Sequence, residues 1–252
     1  MIRISSFSKF YITNKQRMYM KNLLLFAAML AFSCTAPVLR GETVKETRTV
    51  GPFSAISLSI SADVLLAQGS VQKVEIEGDK SSLEKIETVV TDNTLKIRTK
   101  DGFHGNTGKV TVHITVPEVS ALSIAGSGDI SAGAAIRTDE LDLNVSGSGS
   151  IRLSELSARE VSATITGSGD INISAGKAES ELEVIITGSG SFSATGFSAQ
   201  EVDVKITGSG SAKVWAVKEL ETNITGSGNV EYKGTPQVDA NSTGSGKTRS
   251  IQ

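Results

Sequence analysis

The tripeptide Gly-Ser-Gly begins at Gly126, Gly147, Gly167, Gly188, Gly208, Gly226 and Gly244, so the spacing is 18 to 21 residues throughout. A repeat that short cannot hold two packed helices, and self-similarity at this period marks a solenoid whose coils bury their apolar faces only by stacking. Between the marks, apolar residues keep one parity: Leu141, Leu143 and Val145; Leu182, Val184 and Ile186; Val202, Val204 and Ile206. Period 2 places each set on one face of a strand. The chain is therefore expected to be all-β, a right-handed parallel β-helix (β-solenoid) with coils of about 20 residues. The glycines share the inward parity, where a missing side chain permits a sharp bend and close backbone packing.

The repeat occupies residues 118–252. Residues 50–117 lack the mark but alternate, with strands expected at Ala55–Ile60, Val64–Ala67, Val74–Glu77, Leu95–Thr99 and Val110–Val116. Asp92-Asn93 reads as a turn, and Ser81 with Glu84 has capping-box spacing for one short helical turn. This irregular β region is expected to cap or to start the solenoid. Residues 34–49 read as a linker.

Residues 1–33 carry Arg3, Lys9, Lys15, Arg17 and Lys21, no acid, and an apolar run over residues 23–32. That run is too short for a membrane-spanning helix and suits a signal peptide. Ala31-Phe32-Ser33-Cys34 resembles a lipoprotein box, with Cys34 as the lipidated residue; the alternative is an ordinary signal with an incidental cysteine. Met20 offers a second start, which would leave residues 1–19 untranslated. Removing residues 1–33 lowers Lys+Arg from 25 to 20 against 27 Asp+Glu, a net charge near −7. No basic stripe remains, which disfavours nucleic acid. A single cysteine excludes a disulfide framework. The expected address is the bacterial cell envelope, in the periplasm or at the outer membrane or cell surface, with attachment to the membrane by lipid. Nothing in the sequence fixes an oligomeric state.

Phe53, Ile56, Asp63-Val64, Gln68-Gly69, Leu95-Lys96-Ile97, Val112–Pro117 and the later Gly-Ser-Gly-Asp marks at Gly126 and Gly167 together resemble a bacterial family, the putative auto-transporter adhesin, head GIN domain, over roughly residues 50–235. The resemblance implies a right-handed parallel β-helix of the kind found in envelope proteins of Bacteroidetes. It brings no catalytic residues with it.

Two outward columns are acidic. Seven residues before each mark stand Glu140, Glu160, Glu181, Glu201, Glu219 and Gln237; five before stand Asp142, Ser162, Glu183, Asp203, Glu221 and Asp239. Stacked like charges repel, so the columns are either a solvated face or a place where Ca²⁺ bridges neighbouring coils. No other cofactor is expected. A hydroxyl column runs through Ser189, Ser209 and Ser227, suited to hydrogen-bonding a glycan or to structural ladders. Trp215, the sole Trp, has outward parity, and an exposed indole is a stacking platform for sugars. His104 reads as a loop residue and His113 as a strand surface residue.

A non-enzymatic binding or adhesin-like module for glycan or another envelope component fits these features best. A scaffold for envelope proteins is the alternative. A polysaccharide-active enzyme fits less well, because a glycosidase needs one singular carboxylate pair and these acids repeat.

Overall fold

The computed structural model describes residues 43–101 and 108–251, all within the compact unit Gly41–Gln252. Cys34 and His104 lie outside the described residues. The elements, in chain order, are β1 (Thr43–Thr47), β2 (Ala55–Leu58), β3 (Asp63–Gln68), β4 (Lys73–Asp79), α1 (Lys80–Leu83), β5 (Ile86–Thr91), β6 (Thr94–Thr99), β7 (Val110–Val116), β8 (Ala121–Gly126) and β9 (Asp129–Arg137). There follow β10 (Glu140–Gly147), β11 (Ser150–Gly167), β12 (Asp170–Ile173), β13 (Gly176–Gly188), β14 (Ser191–Gly208), β15 (Ser211–Gly226), β16 (Asn229–Lys233), β17 (Gln237–Gly244) and β18 (Lys247–Ser250). They form a β-solenoid of about 6 turns, with stacked parallel coils of about 20 residues.

Each Gly-Ser-Gly mark turns the chain from one sheet face to the next. The first face stacks β6, β2, β8, β10, β11, β13, β14, β15 and β17; the second stacks β7, β3, β9, β11, β12, β14, β15, β16 and β18. A shorter third face runs through Ile136, Leu156, Gly176 and Phe197. Register is in phase at every mark, so equivalent inward residues form ladders. One runs Ile97, Leu58, Ile124, Val145, Ile165, Ile186, Ile206, Ile224 and ends at Ser242. All but the last are buried.

The two glycines of a mark do different work. The first has a positive φ, +115° to +131°, at all seven marks, and its carbonyl accepts the N–H of the next mark's serine, as in Ser189 N to Gly167 O at 2.8 Å and Ser209 N to Gly188 O at 2.8 Å. The second lies under the ladder residue of the preceding coil. A methyl group on Gly190 would lie 2.5 Å from Ile165 Cγ2.

The first coils do not stack in chain order. β2 sits between β6 and β8, and β3 between β7 and β9, so the coil 94–116 lies outside the coil 55–68. Beyond it the polypeptide becomes antiparallel: β5 pairs with β6, β4 with β7, and β1 with β4. β5 and β6 are joined through Asp92 and Asn93, with φ of +48° and +59°, the left-handed pair of a tight hairpin turn. α1 differs from expectation. It is capped by Asp79 without a side-chain bond, so Ser81 stands inside the turn and no capping box forms.

At the far end the ladders turn polar. Ser242 and Thr248 stack on Ile224 and Val230, and the buried Thr222 hydroxyl meets that of Thr248 at 2.8 Å. Polar inner positions suit a final coil with water on one side. This coil is also tied by charge: Lys213 Nζ lies 2.8 Å from Glu231, and Arg249 pairs with the same carboxylate. These partners hold the Glu231 carboxyl below its ordinary pKa, against a smaller opposing effect of desolvation. A depressed folded-state pKa contributes stability above the unfolded value, and that stability is lost as pH falls through the folded one. Amide exchange at residues 247–250 should therefore accelerate as pH drops below the carboxylate range, relative to the central coils. In Glu231→Gln the same amides should exchange quickly at neutral pH, with little further acid dependence.

Candidate functional site

The register assembles the outward columns as counted along the chain. Glu140, Glu160, Glu181, Glu201 and Glu219 are successive partners, as are Asp142, Ser162, Glu183, Asp203 and Glu221. Equivalent residues are spaced at about 4.8 Å. A shallow recess of about 140 Å³ opens between the columns, lined by Glu140, Asp142, Glu160, Ser162, Glu181 and Glu183 among others.

Two cations sit within this acidic face. Arg159 Nε lies 3.0 Å from Asp139 Oδ1, and the same guanidinium bonds Glu140 and Glu160 on adjacent coils. Its pKa is raised, chiefly by the bond to Asp139. Lys205 Nζ lies 2.7 Å from Asp203 and 3.5 Å from Glu183 on the coil before, and its pKa is raised, chiefly by Asp203. Amides help further along, where Asn223 Nδ2 donates to Glu221 at 2.9 Å. The like-charge repulsion is thus offset locally, at Glu140, Glu160, Glu183 and Asp203, and the face as a whole stays acidic. Among the described residues, no three or more His, Cys, Asp or Glu side chains gather in a way that would hold a metal ion.

Ser189, Ser209 and Ser227 form an exposed column at the bend between the first two faces. Their backbone N–H groups are spent on coil stacking, which leaves the hydroxyls outward. Trp215 is not part of that column. It is half-buried on β15, in register with Ser198 on one side and Lys233 on the other. Lys233 Nζ stands 4.6 Å from the indole centroid. His113 is half-buried on β7, 3.4 Å from Glu77.

The columns followed from period and phase alone. Arg159, Lys205 and Lys233 did not, because each occurs once rather than in every coil. Position would have found two of them: Arg159 is one residue before an acid of the column, and Lys205 is two after another.

A family model described as "Putative auto-transporter adhesin, head GIN domain" matches residues 52–236. The chain belongs to this family. The head GIN match spans every coil except the last and most of the antiparallel end. Solved structures share the fold. A "putative adhesin" from Bacteroides fragilis is 23% identical with a TM-score of 0.79, covering 83% of this chain and 97% of its own. Another from Parabacteroides merdae is 26% identical with a TM-score of 0.69, covering 84% and 98%. A "putative lipid binding protein" from Parabacteroides distasonis is 23% identical with a TM-score of 0.71, again covering 84% and 98%. No protein of curated function matches the sequence. Head GIN membership points to an adhesin-like, envelope-associated protein.

Proposed function

We propose that the protein is a non-enzymatic binding module of the cell envelope, exported by its N-terminal signal, lipid-anchored through Cys34, and recognising glycan or another envelope component through its polar outer surface. The observation that carries this is the rung-by-rung repetition of outward polar groups. A catalytic centre needs one singular constellation, whereas here the carboxylates recur coil after coil, and the deviating side chains, Arg159 and Lys205, are tied to neighbouring carboxylates of the same face. A surface repeating at about 4.8 Å favours many weak contacts with an extended polymer over one deep pocket.

One neighbour's name raises lipid as a ligand class. In this chain the inward ladder positions are filled, with Ile186, Val184 and Val204 at 0% exposure, so a lipid would have to bind outside. Scaffolding is favoured by a separate feature: among the described residues, β17 pairs only with β15 and β18 only with β16, leaving one edge of the last coil open.

Binding of the purified protein to a broad glycan and mucin array, in Ca²⁺ and in EGTA, tests the proposal. Selective binding is expected. Loss in EGTA would show that recognition depends on Ca²⁺. Absence of binding in both buffers, with a mass that rises with concentration, would overturn glycan recognition in favour of the scaffold.

A further inference from the structure

The acidic first face repels anions, yet the chain's sole Trp sits in a neighbourhood of the opposite sign. We infer that the surface around Trp215 is a subsite for a negatively charged sugar, carboxylated or sulfated, with the indole as stacking face and Lys233 as counter-charge. This rests on the glycan-binding proposal above and narrows it to a place and a ligand class.

Trp215 lies on the outward side of β15 with Lys213 before it and Val217 after it at the same parity. Val217 is 41% exposed, so an apolar rim continues the indole along the strand. Lys233 is its register partner on the next coil. Among the described residues no carboxylate pairs with Lys233, and its ammonium rests against the ring instead. An ammonium held by an aromatic face is desolvated on one side and keeps its charge for an incoming anion. Nearby, Lys213 and Arg249 share a single acid, Glu231, which leaves that trio net positive. The indole is also held in place. Gly234, at φ +101°, turns the chain beside it, and a methyl group there would lie 3.2 Å from Trp215 Cδ1, so the backbone supports the ring edge. A ring positioned before binding loses little freedom on binding. The apolar face of a sugar ring stacks on the indole, while Lys233 swings from the ring to the carboxylate or sulfate.

Because Trp215 is the sole Trp, its fluorescence reports this site alone. The full chain is titrated with trigalacturonate, a heparin hexasaccharide and neutral maltohexaose. A saturable fluorescence change is expected with at least one acidic probe and not with maltohexaose. It should weaken as salt rises, and Lys233→Gln should weaken it about ten-fold. Lys96→Gln, on a strand at the other end of the stack, should leave it unchanged, and melting curves confirm that both variants are folded. Equal response to maltohexaose overturns the charge assignment while glycan binding stands. No response to any probe, with glycan binding still seen on the array, overturns Trp215 as the place. Response only to phosphatidylglycerol vesicles overturns the sugar in favour of a lipid surface.

Discussion

Gly208→Ala is expected to destabilise the solenoid by about 3 kcal/mol or more, several times what a surface substitution costs. Two penalties combine at this site. The backbone stands at φ +123°, a region that L-residues enter at a cost of about 1–3 kcal/mol. The new methyl group would also lie 2.4 Å from Gly188 O, in the backbone of the coil before, which cannot swing aside as a side chain can. Two further substitutions separate the penalties. Gly126 has φ +128° but nothing within 4 Å of the added carbon, so Gly126→Ala carries the conformational cost alone. Gly210 has no positive φ, yet the methyl group would meet Ile186 Cγ2 at 2.6 Å and Gly190 O at 2.8 Å. Gly210→Ala therefore carries the steric cost alone, about 1–3 kcal/mol. Denaturant unfolding followed by circular dichroism ranks the three. Equal losses for Gly126→Ala and Gly208→Ala would show that the coils do not approach as closely as the register requires.

The same glycines explain why so much of this fold was legible in the sequence. A Gly-Ser-Gly mark fixes the phase of each strand, and period 2 then assigns every residue to the interior or the surface. The pairing of Glu181 with Glu201 and of Glu183 with Asp203 follows from counting back from the mark. Counting fails where the mark is missing. β2, β6 and β8 all alternate, and nothing local tells β2 to lie between the other two. That choice is made by packing across segments distant in sequence, such as Ile56 between Leu95 and Leu122. The surface divides in the same way. Repeated acids show as columns, whereas Lys233 is read only once it is known which coil lies next to which. The chemistry of the single cations is also what the alternation cannot encode: Arg159 reconciles two coils of like charge, and Lys233 gives an otherwise apolar ring a charge.

The interior carries the second large expectation. Phe192 is 1% exposed and occupies one rung of the ladder Ile171, Phe192, Ala212, Val230. The bulkiest side chain of the ladder is followed at once by its smallest, the large–small alternation that fills a layered core without voids. Phe192→Ala should cost about 3–5 kcal/mol, because the stiff coils above and below cannot collapse into the space. Ala212→Phe alone should cost about 1–3 kcal/mol by overpacking. The double substitution exchanges the two residues and conserves total volume, so it should recover a large part of the loss instead of adding to it. Residues in contact depart from additivity in this way, whereas distant ones do not. Denaturant unfolding of the four proteins closes the cycle. If the double variant loses the full sum of the single losses, Phe192 and Ala212 do not share one volume, and the parallel register of β14 on β15 would have to be redrawn.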